Sequence, residues 1–426
     1  TEPHPIPQLA PHLLAYASKT LEGQRITTSL PIDLQQKVSQ IVAGYYSHYS
    51  QSEIYNMAAL VVEVKTRKVL AYVGNTPTDE NHQKDVDIIH APRSTGSVLK
   101  PFLYAAMLHE GELLPTTLIP DVPTQIAGYS PQNFSNSFEG AVPADMALAK
   151  SLNVPFVWLL RQFTTYRFYE VLQKLRLKNI SRHPDHYGLS IILGGAESNL
   201  WDLAQAYTNL ASEVNVFAAT QQYRTAEFQS LSYTAGSPPD FGKATTALPT
   251  IRAGALYSMF SAMKEVNRPT DDVAWRYYES ARKVAWKTGT SFGNKDAWAI
   301  GATPEYVVAV WVGNATGEGR PTLTGVSYAA PVMFSIFNAL PHTTWFQQPL
   351  DDMREVTICE QSGYLAKPEC PQKLLRTTLA PKEIGQCPYH KLVHLTPDAQ
   401  YQVNASCQPV DQIYTKAWFV LDRKST

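Results

Sequence analysis

Two runs of the chain are apolar almost without interruption: AALVVEV at 58–64 and VLAYVG at 69–74, joined by the polar KTRK. Runs of this length, rich in β-branched residues and broken by a charged turn, predict a β-hairpin and so an antiparallel sheet. Upstream, RITTSLPIDLQQKVSQIVAGYYSHY predicts a short extended piece and then an amphipathic helix with Leu34, Val38, Ile41 and Val42 on one face. The pattern then becomes helical in PFLYAAML, ADMALAKSL, VPFVWLLRQF and LWDLAQAYTNLAS, with a Pro/Gly/Asn-rich loop at 119–140. Strand signals return in KVAWKTGTS, DAWAIGAT and YVVAVWVGN. Strands, helices and strands again predict an α+β body in which the first and last segments share one sheet.

The ends read differently. Residues 1–24 are Pro-rich and polar around one helical patch, HLLAYASKTL, and read as a connector leaving another domain. The opening TEPHPIPQLAPHL has neither an initiator Met nor an apolar signal core, so a fragment or processed chain is expected. Near 341–355 the composition shifts and a tail begins. The expected division is a connector over 1–50, a catalytic body over 51–345 and an extension over 346–426.

Composition narrows the possibilities. The chain has 426 residues, is 44% hydrophobic and 17% charged, and has a net charge of -1, so nothing favours nucleic acid or an anionic membrane surface. All four cysteines, Cys359, Cys370, Cys387 and Cys407, fall in the tail. Two disulfides suit an oxidising compartment, whereas zinc held with His390 would want a closer pair than Cys359 and Cys370. Disulfides, and no metal, are therefore expected.

Three short motifs carry the chemistry. In STGSVLK (94–100), a helix starting near Gly96 puts Ser97 and Lys100 one turn apart, a nucleophile beside a base. The same S-x-x-K spacing recurs at Ser261–Lys264 and Ser280–Lys283, so spacing alone does not select it. In SLN, Ser151 can relay a proton and Asn153 can bind a substrate amide; an ordinary helix start reads equally well. In KTGT, Lys287 offers a cation for a carboxylate and Gly289 lets a ligand approach a strand edge, where a plain turn is the alternative. The order S-x-x-K, S-x-N, K-T-G is much harder to produce by accident.

Together with GYSPQNF, IILGGAE, WKTGTSFGNKDAWAIG, VWVGN and AAPV, these motifs resemble the transpeptidase domain of penicillin-binding proteins over about residues 58–335. The resemblance is to the bifunctional class A type, its 1C subtype in particular, whose tail CEQSG…CPYH…WFVL is also similar. It implies the fold shared with serine β-lactamases: a central antiparallel sheet flanked by helices, a helical subdomain, and here a small cysteine-containing extension. The implied reaction is acyl transfer on D-Ala-D-Ala stem peptides of peptidoglycan, blocked covalently by β-lactams and needing no cofactor.

By the same resemblance Ser97 attacks, Lys100 takes its proton, Ser151 and Asn153 act as above, and Lys287, Thr288, Gly289 and Thr290 hold the substrate carboxylate and backbone. The N–H groups of Ser97 and Thr290 would form the oxyanion hole. An extracytoplasmic location follows, with a membrane anchor and a glycosyltransferase domain expected in the full-length protein but not in these residues. One alternative is a β-lactamase using Glu197 to activate water. Another is a β-lactam sensor or scaffold that cross-links little. HPDH at 183–186 reads as a polar loop, VGNATGEGRPTLTG at 312–325 as a mobile loop beside the cleft, and Asp296 and Trp298 as supports for the strand after KTGT.

Overall fold

A computed structural model describes residues 8–126, 129–237, 240–264, 282–380 and 384–421. Ser280, the start of the third S-x-x-K, lies outside the described residues. The body is built on a five-stranded sheet, with β1 Asn56–Glu63, β2 Val69–Val73, β3 Ala285–Thr290, β4 Asp296–Ala302 and β5 Tyr306–Gly313 in the order β2-β1-β5-β4-β3. Every neighbouring pair is antiparallel, and β1 pairs with β5 from Asn56↔Gly313 to Glu63↔Tyr306. The first and last segments of the body thus meet in one sheet, as the strand pattern predicts.

The strands read as unbroken apolar runs because both faces of the sheet are covered. One face, with Ala58, Leu60, Val62, Trp298, Ile300 and Trp311, packs against helices Leu200–Thr220 and Ala253–Lys264, and helix Lys100–Glu110 lies in the same core against the second of these. The other, with Ala59, Val61, Trp286, Ala299, Val308 and Val310, packs against helices Ile32–Tyr49 and Ala330–Ala339. Val38 and Val42 are buried on that second face and Leu34 and Ile41 pack beside them.

Helix Lys100–Glu110 runs through the centre of the larger core, and every residue from Lys100 to His109 is buried. A helix apolar on all sides belongs in such a place. Its first residue is a lysine. The chain therefore carries an ionisable amine into the core at the start of this helix.

Two sequence expectations change. The loop after β5 is tied down: Arg320 pairs with Glu53 at 3.1 Å and Glu318 at 2.8 Å, and Asn294 Nδ2 donates to Leu323 O at 2.9 Å. The loop is braced against the β3–β4 turn rather than hanging free. The two expected disulfides are not formed in the structure, where no two cysteine sulfurs are bonded. Cys359, Cys370 and Cys387 converge in the interior of the tail around His390, while Cys407 is exposed with its Sγ near Asn404 O at 3.4 Å. Three sulfurs in one place and one elsewhere cannot form two pairs.

The tail consists of two hairpins, β6 Met353–Cys359 with β7 Gln372–Thr378 and β8 His390–Leu395 with β9 Tyr414–Phe419. It is pinned to the body by buried Asp352, which accepts from Arg252 Nη1 at 2.6 Å and Gly254 N–H at 2.9 Å. Among the described residues no helix is long and apolar enough to cross a membrane.

Candidate active site

Gly96 sets the geometry around Ser97. Its φ of 52° is in the left-handed region, and a Cβ there would lie 2.7 Å from Thr290 N and 2.8 Å from Thr290 O. Only a residue without a side chain lets the turn reach β3 so closely. Gly289 completes the contact from the strand, because a Cβ on it would stand 2.7 Å from Thr95 O. Two glycines thus bring the backbone of Ser97 against that of Thr290, at an edge strand of the sheet.

Regular helix begins at Lys100 rather than near Gly96, and the lead-in is a turn closed by Val98 N→Thr95 O at 3.2 Å and Lys100 N→Ser97 O at 3.2 Å. Ser97 is half-buried, and its hydroxyl has no hydrogen bond among the described residues. Its N–H likewise meets no backbone acceptor there, which leaves it able to hold an oxyanion.

Lys100 is 0% exposed, and its Nζ donates to Ser151 O at 2.8 Å, Leu152 O at 3.0 Å and Asn153 Oδ1 at 2.7 Å. Burial, with the nearby Lys287 cation adding to it, holds the Lys100 pKa well below the ordinary lysine range. Three acceptors match the three donors of an ammonium; a neutral amine has only two and keeps a lone pair for a proton. Among the described residues no hydrogen bond joins Lys100 Nζ to Ser97 Oγ.

Lys287 comes in from β3, and its Nζ donates to Ser151 Oγ at 2.7 Å and Thr288 O at 2.8 Å. Burial lowers its pKa to about 7. Ser151 thus stands between the two lysines, its carbonyl on one and its hydroxyl on the other. With Oγ accepting from Lys287, the Ser151 proton is free to be donated. Ser151 has φ of 56°, a left-handed conformation that breaks the chain between the two helices on either side of it.

The helix start that holds Asn153 is built across sequence. Leu152 is the N-cap residue and offers no side-chain cap. Asn133 supplies one instead, with its Oδ1 accepting from Asn153 N–H at 2.8 Å and Val154 N–H at 3.2 Å. Buried Asp121 holds Asn133 in turn, with Oδ1 accepting from Asn133 Nδ2 at 2.7 Å. Asn153 Nδ2 donates to Gln132 O at 2.8 Å, which fixes the amide so that its oxygen faces Lys100. These supports were not assigned from sequence. GYSPQNF contains the first of them, but partners 12 to 21 residues apart leave no periodic signal.

Further supports lie below the serine. Trp298, fully buried, donates Nε1–H to Ser94 O at 2.8 Å, and Tyr207 Oη donates to Val98 O at 3.0 Å. Trp298 therefore ties the turn before Ser97 to β4. Asp296 accepts from Trp311 Nε1 at 3.0 Å. Thr290 Oγ1 accepts from Gly325 N–H at 3.0 Å, tying the end of β3 to the braced loop.

The structure thus brings Ser97, Lys100, Ser151, Asn153, Lys287, Thr288, Gly289 and Thr290 to one end of β3. Glu197 is exposed on a short strand paired with Arg93–Ser94. Ser261 stays inside helix Ala253–Lys264, and Lys264 lies over the Trp345 ring at 5.6 Å. His183 is in an exposed contact with Asp185 and joins no metal-binding group among the described residues. The tail cysteines belong to a separate place in the fold.

A family model described as the penicillin-binding protein transpeptidase domain matches residues 57–338. The chain belongs to that family. Among curated penicillin-binding proteins, penicillin-binding protein 1C of Escherichia coli (strain K12) is 31% identical over 339 residues, covering 79% of this chain and 41% of that protein. The chain therefore spans well under two thirds of this relative's length. The same fold appears in the PonA1 protein of Mycobacterium tuberculosis in complex with penicillin V, with TM-score 0.60 and 20% identity over 85% of this chain and 98% of that one. Penicillin-binding protein 1A of Haemophilus influenzae superposes with TM-score 0.57 and 18% identity, covering 77% of this chain and 53% of that chain. The penicillin-binding fold expected from the motifs is the fold observed.

Proposed function

We propose that this domain is a serine-type D,D-transpeptidase that cross-links peptidoglycan stem peptides outside the cytoplasm and is acylated by β-lactams. The observation that carries the reading is Ser151, bonded through its carbonyl to a buried Lys100 and through its hydroxyl to a buried Lys287. Ser97 Oγ attacks the carbonyl of the penultimate D-Ala as Lys100, neutral, takes the hydroxyl proton. The developing oxyanion is held by the N–H groups of Ser97 and Thr290, each worth about 3–4 kcal/mol in comparable sites. The Ser97–substrate ester forms as the peptide C–N bond breaks, and Ser151 passes its proton to the leaving D-Ala amine while taking one from the Lys100 ammonium, which returns to the neutral amine.

The substrate backbone lies along the edge of β3, its carboxylate near Lys287, Thr288 and Thr290, its amide near Asn153. An acceptor amine on a second stem peptide then attacks the ester, its proton passing through Ser151 to Lys100, and Lys100 delivers a proton to Ser97 Oγ as the ester C–O bond breaks. The relatives' greater length agrees with a membrane anchor and a glycosyltransferase unit in the full-length protein. Among the described residues no hydrogen bond or ion pair fixes the exposed Glu197 carboxylate, so hydrolysis is the weaker reading.

Incubation with a D-Ala-D-Ala stem peptide and an amine acceptor tests this. The expected result is aminolysis product in excess of hydrolysis product, with release of D-Ala. Hydrolysis alone would support a β-lactamase-like or carboxypeptidase reading, and acylation by penicillin with no turnover of peptide would support a sensor or scaffold.

A further inference from the structure

We propose that Cys359, Cys370, Cys387 and His390 form a structural zinc site in the tail. Their ligating atoms all lie within 4.8 Å of one another, and all four residues are buried. His390 Nδ1 is 3.4 Å from both Cys359 Sγ and Cys387 Sγ. A tetrahedron with metal–sulfur bonds of about 2.3 Å and metal–nitrogen bonds of about 2.0 Å has edges of roughly 3.5–3.8 Å. The cluster needs to contract only slightly to close on an ion.

Folding removes the objection raised by the spacing of Cys359 and Cys370. β6 and β7 pair antiparallel with Cys359 opposite Gln372, and Glu360 N–H donates to Pro371 O at 2.9 Å. The ten intervening residues form the loop of a hairpin, which returns the second cysteine to the first. Cys387 and His390 come from the next turn, placed by Cys387 N→Leu365 O at 2.8 Å.

The surroundings suit thiolates. Ser362 Oγ donates to Cys387 Sγ at 3.2 Å, and Lys367 N–H donates to Cys370 Sγ at 3.4 Å. Such outer hydrogen bonds orient ligands and offset the excess charge of a site with three thiolates and a neutral imidazole. On binding, each thiol proton leaves to solvent, each sulfur donates a lone pair to the ion, and no electron is transferred. Soft sulfur with imidazole in a closed, four-ligand cage selects zinc over magnesium or calcium.

A disulfide uses this group less completely. Joining any two sulfurs leaves the third as a buried thiol beside an imidazole, and Cys407 is not there to pair with it. The module also needs a staple. Among the described residues its apolar cluster has Ile358 and Ile384 as the buried members from the tail, packed on Leu114 of the body, too few to hold the turns together.

The knuckle sits against the body near the active site. Ser362 O accepts from Leu118 N–H at 2.9 Å, and a Cβ on Gly363 would collide with Thr116 O. Strand Leu118–Asp121 then leads to Asp121, the buried anchor of Asn133. Zinc would brace the segment from which Asn153 is positioned.

The test is metal analysis of the full chain, purified without chelator or reductant, combined with intact-mass thiol counting. One zinc per chain is expected, with Cys407 alkylated quickly and the other three cysteines protected until a strong chelator is added. Cobalt exchanged into the site should give thiolate charge-transfer bands and the visible bands of tetrahedral coordination. Cys407→Ser should keep full metal content, while Cys387→Ser should lose it. A mass lighter by two hydrogens per bridge without metal would overturn the proposal in favour of disulfides. Four reactive thiols with no metal, or iron or copper in place of zinc, would overturn it equally. Because wild-type protein gives the deciding measurement, a poorly folded variant does not blur the result.

Discussion

Replacing Lys100 with methionine should slow acylation of Ser97 by penicillin by about 10³–10⁴-fold, the range lost when a general base is removed from a nucleophilic serine site. Methionine keeps the apolar stem that is buried at the start of helix Lys100–Glu110 and removes only the nitrogen. The three acceptors now served by Nζ, on Ser151, Leu152 and Asn153, lose their shared donor, at a cost of about 1–3 kcal/mol of stability. A melt should therefore show a folded but less stable protein. Reversible binding before the chemical step should change little, because the carboxylate is held from β3. Stopped-flow acylation separates these effects: an unchanged acylation rate constant in Lys100→Met would mean that Ser97 loses its proton elsewhere, with Ser151 the first place to look.

The pH dependence should be bell-shaped, with a falling limb near pH 7 in the free protein. Both lysines have depressed pKa values, and Lys100 feels Lys287 in addition to its own burial. As the pH rises and Lys100, depressed by burial and by Lys287, loses its proton, it becomes a base and the second-order acylation constant rises. Lys287 then loses its proton at about 7 and no longer attracts a carboxylate, so the constant falls. A bound carboxylate favours the ammonium, so under saturating ligand the falling limb should move to higher pH.

Two substitutions separate the limbs. Lys287→Arg keeps a cation at every pH and should abolish the falling limb. Lys287→Ala should cost roughly 10–100-fold in the second-order constant, the value of a charge-assisted hydrogen bond. It should also move the rising limb up, since Lys100 loses its nearest like charge. Identical limbs in wild type and Lys287→Arg would remove Lys287 from the pH dependence altogether.

Much of this arrangement was legible in the sequence, for reasons that also explain what was not. The strands were readable because burial on both faces makes their whole length apolar. The candidate site groups were readable from the order S-x-x-K, S-x-N, K-T-G, since the spacing within any one motif does not select it. The cap on Asn153 was not, because Asn133 and Asp121 act from a loop whose path sequence does not reveal. The helix start was displaced to Lys100 because Gly96 turns through a left-handed conformation to touch Thr290. In the tail, the long gap between Cys359 and Cys370 argued against a common site only until the hairpin closed it.

The central claim is that Ser97, and no other serine, is the nucleophile. Digestion and mass spectrometry after a brief penicillin pulse tests it most directly. One adduct per chain should appear on the peptide containing Ser97, persist after excess drug is removed, and vanish in Ser97→Ala; an adduct on Ser261 or Ser280, or undiminished labelling of Ser97→Ala, would contradict it.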